Sequence, residues 1–132
     1  MTRINVVPVS ELCNKHLFAE WREMPRLVAN LKTSLNRKTK PFTLDEIPKE
    51  YKLGSGHVKF FYDKFMFLHD RHRDLTNELI HRGYNLGTTD SSIFATVSEE
   101  YYNNYEPTED ALALNRERIA IRLPSNPRYR KD

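Results

Sequence analysis

The strongest constraint on the fold is an apolar stripe in the first third of the chain. Its members recur at alternating spacings of four and three residues: Leu17, Trp21, Met24, Val28, Leu31 and Leu35. This spacing predicts one amphipathic helix over roughly residues 10–36, with Ser10 as its N-cap. Pro25 lies inside the stripe and removes one backbone hydrogen bond, so we expect a kink near Trp21.

Two more helices are expected further along. A second apolar stripe follows Gly54-Ser55-Gly56 and stops before Gly83, a suitable residue for a helix end; its members are Val58, Phe61, Phe65, Leu68, Leu75 and Leu79. Pro107-Thr108 opens a third, shorter helix that runs to about Arg122. Residues 37–55 and 84–106 are rich in turn formers and are predicted to be loops.

These patterns predict an all-α fold: a single compact domain, residues 1–132, of three helices joined by long irregular loops. Residues 2–9 are rich in β-branched side chains and contain Pro8, so we expect an extended N-terminal segment packed across the helices. Cys13, the only cysteine, is predicted to be a small buried apolar side chain. One cysteine excludes a disulfide framework and cysteine-based zinc sites.

Net charge and hydropathy limit the kinds of molecule that the protein is expected to bind. The net charge is +3, a mild bias towards a polyanion. His69 and His72 are three residues apart and are predicted to be solvated helix residues, not metal ligands. The chain has no apolar run of about 18 residues and no signal-peptide pattern, so we expect a cytoplasmic protein without a membrane partner.

The N-terminus carries a potential nucleophile. Thr2 is small, so removal of Met1 should expose the Thr2 α-amine. This amine titrates at about pH 7.7–8.0, against about 10.4 for lysine, so a useful fraction is unprotonated at neutral pH. Such an amine can attack an electrophilic sugar carbon.

A charged set on the first helix is the expected partner of this amine. Glu23 lies seven residues after His16 and three before Arg26, so the three are neighbours on one helix face, with Arg22 at its edge. The alternative is an ordinary solvated face with weak intrahelical ion pairs. If the extended segment lies back across the helix, Thr2 comes near Glu23, and an attack at C1′ of a damaged nucleotide becomes possible.

At these residues the chain resembles the small phage-type pyrimidine-dimer DNA glycosylases, also called dimer-specific endonuclease V. The clearest matching blocks are Thr2-Arg3-Ile4-Asn5, Val9-Ser10-Glu11-Leu12, His16-Leu17, Ala19-Glu20-Trp21-Arg22-Glu23-Met24-Pro25-Arg26, Leu53-Gly54-Ser55-Gly56-His57-Val58 and Phe60-Phe61-Tyr62-Asp63-Lys64. The resemblance implies a monomeric enzyme of a bacterial or phage-infected cell that needs no metal or organic cofactor and no obligate protein partner.

The resemblance also implies roles for individual residues. Thr2 and Glu23 would be catalytic, forming an imine and then cleaving the strand by β-elimination at cyclobutane pyrimidine dimers in duplex DNA. The predicted DNA-binding set is Arg3, His16, Arg22, Arg26, Lys64, Arg118 and Tyr129.

The C-terminal tail departs from the family pattern. Family tails are rich in Trp and Tyr, whereas here only Tyr129 is aromatic. Two alternatives therefore stay open: a glycosylase/lyase of the same fold with a different lesion preference, or a noncatalytic damaged-DNA-binding module.

Overall fold

The computed structural model describes residues 3–87 and 89–131. It contains four α-helical segments: α1 (Asn14–Glu23), α2 (Arg26–Leu35), α3 (Phe65–His81) and α4 (Glu109–Arg122). Short 3-10 turns lie at Val9–Glu11, Leu44–Glu46, Lys59–Phe61, Ser92–Thr96 and Glu99–Tyr101, and no β-strand occurs in the described part of the chain. The predicted all-α class is confirmed.

The predicted long first helix is present as α1 and α2, which are joined by a bend. Met24 and Pro25 keep right-handed helical dihedrals between the two segments. Pro25 has no N–H to donate to the carbonyl four residues earlier, and the next amides bond three residues back: Leu27 to Met24 and Val28 to Pro25. The lost hydrogen bond predicted from Pro25 is therefore confirmed, and the helix is interrupted at Met24–Pro25, just after the predicted position at Trp21.

The predicted start of this helix was wrong. Ser10 lies in the Val9–Glu11 turn, and α1 begins at Asn14 after an extended Cys13. The Asn14 amide donates to the Arg128 carbonyl at 2.7 Å. A free amide at the helix start is thus satisfied by the C-terminal tail, a partner that no local capping pattern reveals.

The predicted start of the second helix was also wrong. Lys64 has non-helical dihedrals, and α3 begins only at Phe65, after the Lys59–Phe61 turn. The apolar stripe nevertheless packs into the core, because Phe61, Phe65 and Leu68 are fully buried. The third predicted helix is confirmed as α4, whose N-cap Thr108 accepts a hydrogen bond from the Ala111 amide at 3.1 Å.

His69 and His72 are buried, contrary to the prediction of solvated helix residues. The loop after α3 folds back over that helix and supplies a partner for each ring. His69 Nδ1 lies 2.8 Å from the Tyr102 hydroxyl, and His72 Nδ1 lies 2.5 Å from the Ser91 hydroxyl. The helical period could not predict that these two rings are buried, because the residues that cover them are distant in sequence.

The N-terminal segment packs against the helices, as predicted. Ile4 and Val7 are fully buried, and Cys13 is buried as expected. No described helix is long and apolar enough to span a bilayer.

Candidate active site

A pocket lies where the N-terminal segment, α1 and α4 meet. Its volume is about 500 Å³. Its lining residues are Arg3, Asn5, His16, Ala19, Glu20, Glu23, Gly54, Arg118, Ile119 and Arg122. Of the predicted site residues, the structure therefore brings together Arg3, His16, Glu23 and Arg118.

Simple periodicities explain how each element contributes. On α1, His16, Glu20 and Glu23 follow spacings of four and three and share one helix face. On α4, Arg118 and Arg122 are four apart and share a face in the same way. The pocket is thus lined mainly by one face of α1, one face of α4 and the N-terminal segment.

Three guanidinium groups crowd this pocket, from Arg3, Arg118 and Arg122. Burial lowers the pKa of Arg3, and the positive charges of Arg118 and Arg122 lower it further. The Nε atom of Arg118 is buried and has no hydrogen-bond partner among residues 3–87 and 89–131. A bound anion would relieve this repulsion, which makes the pocket suited to a phosphate-bearing ligand.

The two glutamates that line the pocket differ in whether other side chains bind their carboxylates. Glu20 is only 2% exposed, forms an ion pair with Arg71, and accepts a hydrogen bond from Asn5 Nδ2 at 2.8 Å. Glu23 is half-buried, and within the described ranges no hydrogen bond or ion pair holds its carboxylate. Glu23 is therefore the pocket carboxylate that is available to a ligand.

His16 closes one side of the pocket. Its Nε2 atom lies 3.2 Å from the Arg122 carbonyl oxygen, which can only accept, so Nε2 carries the proton in this contact. Burial lowers the pKa of His16, although this carbonyl opposes the shift. The ring is thus held neutral at physiological pH beside Arg3, and its Nδ1 atom keeps an available lone pair.

The other predicted site residues lie outside this pocket. Arg22 and Arg26 are exposed on either side of the Pro25 bend. Lys64 donates to the Phe60 carbonyl at 2.9 Å and pairs with Asp63 at 2.7 Å. The structure therefore gives Lys64 a structural contact at the start of α3.

Tyr129 is half-exposed in the C-terminal tail, with the Arg82 guanidinium 5.9 Å from its ring centre. Thr2 lies outside the described residues. Its neighbour Arg3 lines the pocket.

Sequence reasoning missed several lining residues, notably Asn5, Glu20 and Arg122. A signal existed for the last two, because Glu20 lies four residues after His16 and Arg122 lies four after Arg118. Asn5 lies two residues after Arg3 on an extended segment, where side chains two residues apart point to the same side, so this spacing was the available signal. Among residues 3–87 and 89–131, no three His, Cys, Asp or Glu side chains are placed to hold a metal ion.

The chain matches a known protein family. Residues 1–92, more than two thirds of the chain, match the family of pyrimidine dimer DNA glycosylases. The match includes the N-terminal segment and α1 and stops before α4, which supplies Arg118 and Arg122. The chain therefore belongs to the pyrimidine dimer DNA glycosylase family, whose members are DNA-repair glycosylases acting on damaged DNA.

Proposed function

We propose that this chain is a bifunctional enzyme that releases the damaged base from cyclobutane pyrimidine dimers in duplex DNA and then cleaves the strand as an abasic-site lyase. The observation that carries the proposal is the unengaged Glu23 carboxylate in a pocket of three arginines. One wall of this pocket is Arg3, which is bonded directly to Thr2. The proposal is that the Thr2 α-amine and the Glu23 carboxylate act on the same sugar in this cavity.

In the first step the unprotonated Thr2 α-amine, exposed by loss of Met1, attacks C1′ of the damaged nucleotide. The C1′–N bond breaks and its electron pair leaves with the base, which takes up the proton lost from the amine. The ring C1′–O4′ bond then opens as the amine nitrogen forms a double bond to C1′, and O4′ takes up a proton from solvent, which gives a protonated imine. The Glu23 carboxylate stabilises the positive charge that develops on the sugar.

In the second step a proton leaves C2′ with the assistance of Glu23. Its electron pair forms the C2′–C3′ double bond, and the 3′ phosphate leaves with the C3′–O electrons. Hydrolysis of the imine then frees the enzyme.

The cationic residues bind and bend the duplex in this proposal. Arg3, Arg118 and Arg122 hold phosphates around the reacting sugar, and exposed Arg22 and Arg26 extend this contact along α1 and α2. Enzymes that act on a base usually extrude a nucleotide from the stack, at a cost of a few kcal/mol, and a dimer lowers that cost.

The peripheral residues complete the proposal. His16 orients groups at the pocket rim, while Lys64 and Tyr129 contact DNA beyond it. We propose a monomer working in the cytoplasm.

The direct test is borohydride trapping on abasic and dimer-containing duplexes. The expected product is a covalent complex whose modified peptide begins at Thr2. The matched control is the same chain carrying one extra residue before Thr2, which moves the amine away. Equal trapping of both proteins would show that the nucleophile is a different amine.

A different lesion preference is the second candidate, and the C-terminal tail favours it. Tyr129 is its only aromatic residue and lies over Arg82, while the Arg128 and Arg130 carbonyls are bonded to Asn14. A panel of defined lesion duplexes would decide, because a dimer-specific enzyme releases product from the dimer duplex far faster than from the others. Binding without strand nicking of irradiated plasmid would instead indicate a noncatalytic module.

A further inference from the structure

The extended N-terminal segment is held by an unusual hydrogen bond. The backbone amide of Ile4 donates to Nε2 of His57 at 2.8 Å, across 53 residues of sequence. The His57 Nδ1 atom lies 2.7 Å from the Lys52 carbonyl oxygen, which can only accept. The proton is therefore on Nδ1, and the Nε2 lone pair receives the Ile4 amide, so the contact requires a neutral ring.

Local structure holds this ring in place. Gly54 and Gly56 have positive φ angles of 73° and 87°, which favour glycine, and the His57 amide closes the turn on the Gly54 carbonyl at 3.1 Å. Edges of Tyr51 and Phe61 surround the imidazole, with ring centres 5.5 and 5.8 Å away. His57 is only 2% exposed, so its orientation is set by packing.

The same cluster binds the other polar group of Ile4. The Tyr51 hydroxyl donates to the Ile4 carbonyl at 3.1 Å. Both backbone groups of Ile4 are therefore fixed two residues from Thr2, and Arg3 between them lines the pocket.

We propose that His57 is the positioning residue that directs the N-terminal segment, and with it the Thr2 amine, into the pocket, and that protonation of His57 releases this segment. The proposal rests on the function proposed for Thr2. His57 does not touch the reacting atoms and acts only through the Ile4 amide.

The surroundings of His57 disfavour the protonated form of its imidazole ring. A proton on Nε2 would point at the Ile4 N–H and remove its acceptor. The facing charged and titratable groups are Arg3 from the N-terminal segment, Arg118 from α4 and the Tyr51 hydroxyl from the preceding loop. Burial lowers the pKa of His57 from its ordinary 6.5, both arginines lower it further, and the Lys52 carbonyl opposes them.

The first experiment measures the anchor in the free protein. Amide hydrogen exchange of Ile4 is followed between about pH 5 and 8, corrected for the intrinsic pH dependence and compared with the core amide of Leu75. In the wild type, protection of Ile4 should fall at acidic pH more than that of Leu75. In His57→Gln, whose side-chain oxygen accepts at all these pH values, it should stay constant. An Ile4 amide that is equally protected in wild type, His57→Gln and His57→Leu would overturn the proposal.

The second experiment measures positioning in the reaction. Single-turnover borohydride trapping on an abasic duplex is compared with duplex affinity across the same pH range. Misplacing a reacting group by about 1 Å can cost about 10²-fold in rate, so His57→Leu should trap up to that much more slowly with nearly unchanged affinity. His57→Gln should restore trapping and lose the wild-type decline at acidic pH.

The controls separate the two proposals. His81→Gln makes the same change at an exposed position and should behave as the wild type. If Ile4 protection follows His57 but Thr2 is never trapped, the nucleophile assignment fails and the anchor stands. If Thr2 is trapped equally well in His57→Leu at every pH, the positioning role is wrong while the proposed function stands.

Discussion

The side-chain oxygen of Asn115 lies 2.7 Å from the backbone nitrogen of Val6 and joins α4 to the N-terminal segment. The same oxygen accepts from the Val7 amide at 3.2 Å, and Asn115 Nδ2 donates to the Asn5 side chain at 2.8 Å. An extended segment in a helical core has no neighbouring strand to satisfy its amides. One fully buried asparagine does so here for Val6 and Val7, and its bond to Asn5 fixes that residue against α4.

Asn115→Ala should strongly destabilise the protein. It leaves the Val6 and Val7 amides and the Asn5 side-chain oxygen without their hydrogen-bond partner in the core, and each such group costs about 1–3 kcal/mol. We expect a loss of at least about 2 kcal/mol in the free energy of unfolding, measured by urea denaturation. The exposed helical Asn30→Ala is the matched control and should change stability little. Equal stability of both variants would contradict the role of Asn115.

The buried ion pair of Glu20 and Arg71 should be costly to break from one side. Arg71→Met leaves the Glu20 carboxylate buried with a single donor, and loss of one partner of such a pair costs about 3–5 kcal/mol. Adding Glu20→Gln should recover part of this loss, as a double-mutant cycle in urea would measure. The control is Lys59→Met, which breaks a largely exposed pair with Glu46 and should cost less than about 1 kcal/mol. Strict additivity of the two core changes would show that the pair is not coupled.

Glu23→Gln should separate binding from catalysis. The variant keeps the size of the side chain and the arginines of the pocket, so duplex affinity should persist or rise slightly as a negative charge is lost. Base release should be abolished, because the amide cannot stabilise the cationic sugar or accept a proton. Product release and fluorescence binding are measured side by side, with exposed Glu117→Gln as the control. Parallel loss of binding and activity would point to a structural role for Glu23.

The arginines that contact phosphates should contribute to the salt dependence of duplex binding. Each phosphate contact contributes about −0.9 to the slope of log affinity against log salt. Arg118→Ala and Arg26→Ala should each reduce the slope by about one, measured on undamaged duplex. Arg73→Ala removes an exposed arginine of α3 that does not line the pocket and should leave the slope unchanged. An unchanged slope for Arg26→Ala would place the end of the DNA contact before the Pro25 bend.

Stability should fall as the solution becomes acidic. Burial lowers the pKa of four histidines: His16, His57, His69 and His72. The unfolded chain then binds more protons than the native one, so this contribution is fully present above the ordinary value of 6.5 and is lost as pH falls towards the native pKa values. Urea unfolding between about pH 5 and 8 should show this decline.

His72→Gln should flatten part of that curve, because the glutamine still reaches the Ser91 hydroxyl without titrating. Exposed His81→Gln is the control and should leave the curve unchanged. If both variants retain the full decline, His72 does not contribute to it.

The reach of sequence reasoning depended on how local each interaction is. Pro25 acts on its own helix, so the bend between α1 and α2 could be predicted, and the faces that carry His16 and Glu23 follow from the helical period. The start of α1 could not be predicted, because its first amide bonds the Arg128 carbonyl of the tail. The burial of His72 escaped for the same reason, since its cover is a loop 19 residues away.

By itself, the sequence determined which side chains share a helix face, where the first helix bends, and which family the chain belongs to, because periodicity, proline geometry and ungapped motifs are properties of neighbouring residues. Only the tertiary structure decided that Glu20 forms an ion pair with Arg71 while the Glu23 carboxylate stays available to a ligand. It also decided that Arg122 lines the pocket. It alone placed His57 and Asn115 against the N-terminal segment, across 53 and 109 residues. Such contacts depend on how the helices pack around one extended segment, which no local pattern encodes.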